Sequence, residues 1–406
     1  MGSRQGAGRV EYCAQWRPIG PPSWNRARCK PLWPLCLSPP IDEKLTRRLT
    51  ESSLFKILHP QTMAIEINRP ILLTGAGFTK NFGGFLASEM WAQIFNSRHI
   101  RHHKKLGEIL RRDFDYESVC NRILVGTNSL DEKSALETAL FDAYQQLDQR
   151  IRNLHINQVG GAVDLDKLRM ILDRFSGSGN ARGYFFTLNQ DLFIERWHLS
   201  DAQLWVPGIS NHVRRRKEAA LNDEDIIALP TAETMRKHRE RNDDGKISTY
   251  GRFQYIKLRG SWNWRASDGK SGMVIGRGKE TRIMQEPLLS WYLETFESVL
   301  SKEGRKLLVI GYGFRDPHLN EVIARCVNEH GLELYVLSPL PPDEFEHHLK
   351  LHAFGLSNDT VSLSGVLWRG LSGYFQGNLR DVCPKGQWST LNETDLAKQI
   401  TEAVFA

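Results

Sequence analysis

Short apolar runs that end in glycine or polar turns recur along this chain. Ile71-Leu72-Leu73-Thr74 runs straight into Gly75-Ala76-Gly77-Phe78-Thr79. Gly183-Tyr184-Phe185-Phe186-Thr187-Leu188 ends at Asn189-Gln190-Asp191, and Tyr255-Ile256-Lys257-Leu258 ends at Arg259-Gly260-Ser261. Leu307-Leu308-Val309-Ile310 ends at Gly311-Tyr312-Gly313, and Leu332 to Leu337 ends at Ser338-Pro339. Runs of this length, bounded by turn residues, predict buried strands. Between the first two, Gly84 to Asn96 carries Phe85, Leu86, Met90, Trp91, Ile94 and Phe95 at near-helical spacing. Residues 98–175 are rich in helix formers and predict a helical insertion. It includes Asp113-Phe114-Asp115-Tyr116-Glu117 and the amphipathic stretch Lys133 to Leu154, and the loop Ser176 to Asn180 closes it.

Apolar strands separated by helical segments predict an α/β fold: a doubly wound, mostly parallel Rossmann-like sheet with a helical insertion. The polar and glycine-rich residues fall at the C-terminal ends of the strands, the edge where such sheets bind ligands. There is no internal repeat. Residues 207–254 are polar and read as a solvated loop or helix surface, with basic runs at Arg214 to Lys217 and Arg236 to Arg241. The segment Leu367 to Phe375, in an extension over about 341–406, is expected to pack back on the sheet or to form an oligomer contact.

Composition changes this picture at one end only. The chain has 406 residues and a net charge of +7. Residues 1–62 hold ten Lys/Arg and four Asp/Glu, so nearly all of the surplus lies there and the rest of the chain is close to neutral. The basic balance therefore describes the leader and argues against a nucleic-acid-binding face. The same 62 residues hold eight of the 17 prolines and three of the six cysteines, Cys13, Cys29 and Cys36. They carry no apolar core of a signal peptide. They read either as an upstream extension of a protein that starts at Met63, or as a disordered or partner-binding arm. No run of about 18 apolar residues predicts a membrane span. Cys120, Cys326 and Cys383 form no C-x-x-C pair, so no structural zinc site is expected. Few cysteines and no secretion signal suit a reducing cytoplasm.

Glycine turns after strands let backbone amides approach a phosphate, because no Cβ blocks them. On that ground the amides of Ala76, Gly77 and Phe78 are candidates for a pyrophosphate, with Gly75 and Thr79 completing the turn. Gly311, Tyr312 and Gly313 form a second glycine turn, which would let the adenosine half of a nucleotide approach the backbone closely. Asp316 and Asn320 are candidate polar clamps beside it, although Asp316-Pro317-His318 also has the form of a helix N-cap and first turn. Asn189 is placed either to bond a ribose hydroxyl or to hold an attacking water. Asp191 is placed either to accept from a carboxamide or to fix its own loop.

Taken together, these strand ends resemble the sirtuin family, and more closely the bacterial sirtuin-like proteins of anti-phage defence that cleave NAD. The stretches that carry the resemblance are LLTGAGFT, FFTLNQDLFIE, YIKLRGSWNW and LLVIGYGFRDPHLNEVI. They appear in the family's order, each closing a strand, across roughly residues 65–340. The resemblance implies a sirtuin-like NAD-binding domain over 63–340, NAD as substrate or ligand, and Asn189 and Asp191 in the catalytic centre. It also implies a homo-oligomer and, in proteins of similar length, co-assembly with a ring-forming ATPase.

One position departs from the family. Arg259 stands where the family places its histidine base, and an arginine cannot accept a proton at neutral pH. Three readings follow: an NAD glycohydrolase with another base, for which His212 and His318 are the nearest candidates; a degenerate site that senses NAD or ADP-ribose; or an assembly subunit. Protein deacetylation fits least, since both the zinc-binding cysteine pairs and the histidine are missing.

Overall fold

In a computed structural model, strand β1 (Ile67–Thr74) starts partly exposed and is buried from Pro70 onward. Ile71, Leu72 and Leu73 are each 0% exposed. Successive strand residues face opposite sides of a sheet, so full burial at consecutive positions means that both faces are covered. This is why the apolar runs are continuous rather than alternating. The structure describes residues 67–154, 163–177, 181–197, 204–209, 220–222, 225–243, 253–269, 271–276, 279–353, 356–357, 361–386 and 393–406. The leader, Met63, His212 and the basic run Arg214 to Lys217 lie outside them, as does most of the Ser176 to Asn180 loop.

Six further strands join β1: β2 (Arg182–Thr187), β3 (Leu204–Trp205), β4 (Phe253–Lys257), β5 (Lys306–Ile310), β6 (Glu333–Ser338) and β7 (Leu371–Gln376). They form one seven-stranded sheet in the order β7-β6-β5-β1-β2-β4-β3. Every pair is parallel. From β1 the chain winds first toward β2 and then, after β4, returns to the other side of β1 to lay down β5. The reversal puts a crevice between the C-terminal ends of β1 and β5, the place where doubly wound sheets take their ligands. Register brings the strand ends level, because Thr74 pairs with Thr187 and with Ile310, and Thr187 pairs with Lys257.

The predicted helix after the first turn spans Ala87–Phe95. Residues 98–154 and 163–176 hold successive helices, among them Tyr116–Val125 and the long Leu130–Arg152. Ser129 and Glu132 form a capping box at the start of the long helix. That helix is tied to the sheet by Asp148, whose two oxygens each accept from Arg196 at 2.8 Å. Arg196 lies on helix Phe193–Trp197, directly after Asn189-Gln190-Asp191. The run Arg236 to Arg241 lies on helix Ala232–Asp243, where Arg236 and Lys237 are exposed.

The C-terminal segment contributes a strand that the apolar pattern does not signal. Leu363–Arg369 is helical, and Leu371–Gln376 then becomes the edge strand β7. Only one of its six residues, Phe375, is buried. An edge strand needs few apolar positions, so it lacks the continuous run of the central strands. Helix Asp395–Phe405 then packs across β1 and β5, with Lys306 Nζ donating to the Ala403 carbonyl at 2.9 Å.

Candidate functional site

The crevice is closed at its base by the two glycine turns, which pack on each other. Gly75 N donates to Ile310 O at 3.0 Å and Gly77 N to Gly311 O at 2.9 Å. A Cβ on Gly75 would lie 2.7 Å from Gly311 O, and one on Gly311 would lie 2.1 Å from Phe78 N. Gly311 also has φ +67, the left-handed region that glycine tolerates. The glycines therefore let two backbones meet. The Gly77 and Phe78 amides anticipated for a phosphate both donate internally here, Phe78 N to Gly75 O at 2.9 Å. The helix that follows, Ala76–Lys80, is a single turn and a half, which leaves little dipole for an anion.

The late turn is braced from within. Tyr312 OH donates to Asn320 Oδ1 at 2.9 Å, and Asn320 Nδ2 donates to Phe314 O at 2.8 Å. Asp316 N donates to Tyr312 OH at 3.2 Å. Asn320 is fully buried, and both of its amide atoms are engaged in bracing the turn. The brace holds Phe314 at φ 50, a strained position for a bulky residue. On the outer side His348 Nε2 meets Gly313 O at 2.9 Å.

Asn189, Thr79 and Asp191 form a second knot above the β1 turn. Asn189 Nδ2 donates to Gly75 O at 2.9 Å and to Thr79 Oγ1 at 2.6 Å. Thr79 Oγ1 donates to Asp191 Oδ2 at 2.9 Å, and Asp191 Oδ1 accepts from Phe193 N at 2.9 Å. The Gly75 carbonyl can only accept, which fixes the orientation of the Asn189 amide. With both Nδ2 protons committed, half-buried Asn189 presents its Oδ1 carbonyl, an acceptor. Asp191 has both oxygens engaged and is nine-tenths buried, so it fixes the loop. Burial pushes its carboxyl upward, and the Lys257 cation opposes that rise. Lys257 is itself fully buried, donating to Asp191 O and, at 2.7 Å, to Glu195 Oε1. Gln190, between the two anticipated residues, accepts from Tyr144 OH and donates to Val274 O at 2.9 Å.

Across the crevice, Arg259 is locked among ions. Its Nη1 lies 3.2 Å from Glu117 Oε1, and its Nη2 pairs with Asp316 Oδ1. Lys279 bridges the same two carboxylates, at 2.9 Å to Asp316 Oδ1 and in contact with Glu117 Oε2. Two cations and two anions thus close a neutral cluster. Burial alone would raise the Asp316 carboxyl, but Arg259 and Lys279 outweigh it and hold the group well below the usual carboxylate range. Burial would lower the Arg259 guanidinium, but Asp316 and Glu117 reverse this and keep it charged. Asp316 does precede helix Pro317–His330 as its N-cap, with Pro317 at the first position, yet its side chain makes no capping bond. It turns to the cluster instead.

Glu117 and Lys279 carry no sequence signal of their own. Glu117 sits in the first turn of helix Tyr116–Val125, set by Asp115, which accepts from Glu117 N and Ser118 N. Three buried polar atoms around the cluster have no hydrogen-bond partner: Arg259 Nε, Asp316 Oδ2 and His318 Nε2. A buried polar atom left unpaired costs about 1–3 kcal/mol. Their grouping near the C-terminal ends of the strands fits partners that carry hydroxyl hydrogens, a water or a sugar hydroxyl, which can both donate and accept. A free anion fits less well, since Asp316 Oδ2 is an ionised acceptor.

Among the described residues no group of three His, Cys, Asp or Glu is placed to hold a metal ion, and Cys120, Cys326 and Cys383 are buried free thiols. No helix among them is long and apolar enough to cross a membrane. The family model of the SIR2-like domain matches residues 184–357, less than half of the chain. The match begins inside β2 and includes Asn189, Asp191, Arg259, Asp316 and His318, while the β1 turn and Glu117 lie outside it. No curated protein matches the chain. The match and the parallel sheet support a sirtuin-like domain with a Rossmann-like α/β fold, and SIR2-like domains generally bind NAD.

Proposed function

We propose that this protein binds NAD at the C-terminal edge of its sheet and hydrolyses the bond between nicotinamide and ribose, as part of anti-phage defence. The carrying observation is the fixed acceptor at Asn189. Both Nδ2 protons are held by Gly75 O and Thr79 Oγ1, which leaves Oδ1 as an acceptor, the negative end of an amide dipole. An oxocarbenium-like transition state gains from such an acceptor, and so does a water held for attack. Most of the rate then comes from placement, which contributes about 7–11 kcal/mol where geometry is right. The Arg259 charge does not oppose the cationic transition state as a bare guanidinium would, because Glu117 and Asp316 neutralise it.

The test is incubation of the purified chain with NAD and chromatography for nicotinamide and ADP-ribose. Nicotinamide release that Asn189→Ala abolishes supports the reading, and NAD left intact by the wild type overturns it.

A second reading rests on Arg259 itself. A guanidinium held between two carboxylates takes no part in proton transfer, which suits a site that binds NAD or ADP-ribose as a sensor, within a homo-oligomer or alongside a ring-forming ATPase. That reading expects nucleotide-dependent thermal stabilisation without release, and a discrete large particle by light scattering.

A further inference from the structure

Hydrolysis at the Asn189 crevice needs a group that takes the proton of the attacking water, and Arg259 cannot be that group. His318 has the required properties. It lies in the first turn of helix Pro317–His330, two residues after Asp316, and is about nine-tenths buried. Its Nε2 is buried without a hydrogen-bond partner, like Arg259 Nε and Asp316 Oδ2 of the adjoining cluster. Its Nδ1 lies 3.7 Å from Glu280 Oε1, outside hydrogen-bond distance, so the carboxylate acts on that side of the ring through its charge, which favours a proton at Nδ1. That leaves a lone pair on Nε2.

We propose that His318 Nε2 is the proton acceptor of the hydrolysis, with Glu280 as the residue that sets its tautomer. The inference rests on the NAD-cleavage reading above. The water oxygen bonds to the ribose C1′ while the C1′–N bond breaks. The electron pair of that bond stays on the nicotinamide nitrogen and cancels its positive charge. The water proton passes to Nε2 and from there to solvent. Burial lowers the His318 imidazole below its ordinary value, with Arg259 and Lys279 adding to the effect and Asp316 and Glu280 opposing it, so the ring is neutral and competent near pH 7.

The experiment measures nicotinamide release and ADP-ribose affinity for the wild type, His318→Gln and Glu280→Gln. For His318→Gln the expected result is a fall in kcat of about 10²–10⁴-fold, with ADP-ribose affinity within about threefold. Loss of the low-pH limb from the pH profile should accompany it. Glu280 is mostly exposed, so Glu280→Gln keeps the fold and should lower kcat several-fold with binding unchanged. If His318→Gln does not fold, the Glu280→Gln result decides. His318→Gln with wild-type turnover, or with affinity lost in step with rate, overturns the assignment and leaves the cleavage reading standing. Absence of release from the wild type overturns the cleavage reading, and the assignment falls with it.

Discussion

Glu117 and Arg259 are 142 positions apart in sequence, and their side chains meet at 3.2 Å. One comes from the helical insertion and the other from the end of β4. The contact makes the insertion part of the site, since it supplies one of the two carboxylates that hold Arg259. The other, Asp316, comes from the far side of the topological reversal. Three separate segments of the chain thus converge on one guanidinium.

Removing that guanidinium should be costly. Arg259→Leu leaves Asp316 and Glu117 with Lys279 alone, and breaking a buried pair costs about 3–5 kcal/mol. We expect the lower end of that range, because Lys279 still bridges both carboxylates. Urea unfolding of Arg259→Leu, Asp316→Leu and the double variant gives the coupling. A double variant no more stable than the sum of the singles would contradict the pairing.

Restoring a histidine at Arg259 should not raise turnover. The imidazole is too short to span Glu117 and Asp316 as the guanidinium does, so the cluster opens. Arg259→His is expected to lose stability, with nicotinamide release at or below the wild-type rate. A large gain in release would mean that the site is a degenerate one awaiting its base.

The two glycine turns make a graded prediction. Gly311→Ala puts a Cβ 2.1 Å from a backbone nitrogen at a positive φ, and Gly75→Ala puts one 2.7 Å from a carbonyl oxygen. Both should destabilise, Gly311→Ala by more than about 3 kcal/mol and Gly75→Ala by less. Thermal denaturation in that order checks the turn-on-turn contact. Equal stabilities would argue that the glycines answer to a ligand alone.

Acid stability should depend on Asp316. Its folded value is depressed below the ordinary carboxylate value, so the unfolded chain binds the proton more readily. The stabilisation is therefore fully present above about pH 4 and is lost as the pH falls toward the folded value. Asp316→Asn should flatten the stability-against-pH curve below pH 4 and lower stability at pH 7. An unchanged acid limb in denaturant titrations would count against the ion cluster.

His318 predicts a slope in a different window. Its folded value is also lowered, so the unfolded chain takes up a proton first as the pH drops below about 6.5. Stability should fall from there downward, and His318→Gln should remove that part of the slope. Denaturant unfolding at half-unit steps between pH 5 and 7 measures it.

The sequence by itself determined the central strands and the residues that end them. Ile71 to Leu73 and Leu307 to Ile310 are apolar without interruption because a parallel sheet is covered on both faces, and such runs are visible in one dimension. Glycine or asparagine after the runs that end at Thr74, Leu188 and Ile310 marked the ligand edge, because such residues are typical of turns. The tertiary structure alone decided who faces whom. Which amide is spent on Gly311, why Asn189 is an acceptor and what engages Asp191 Oδ2 all depend on partners distant in sequence. So does the identity of Glu117 and Lys279 as members of the site, since a charge on a helix looks the same in sequence whether it meets solvent or a buried guanidinium. The half-polar strand β7 was hidden likewise, because a strand at the edge of a sheet is defined by its neighbour, Glu333–Ser338, and not by its own apolar content.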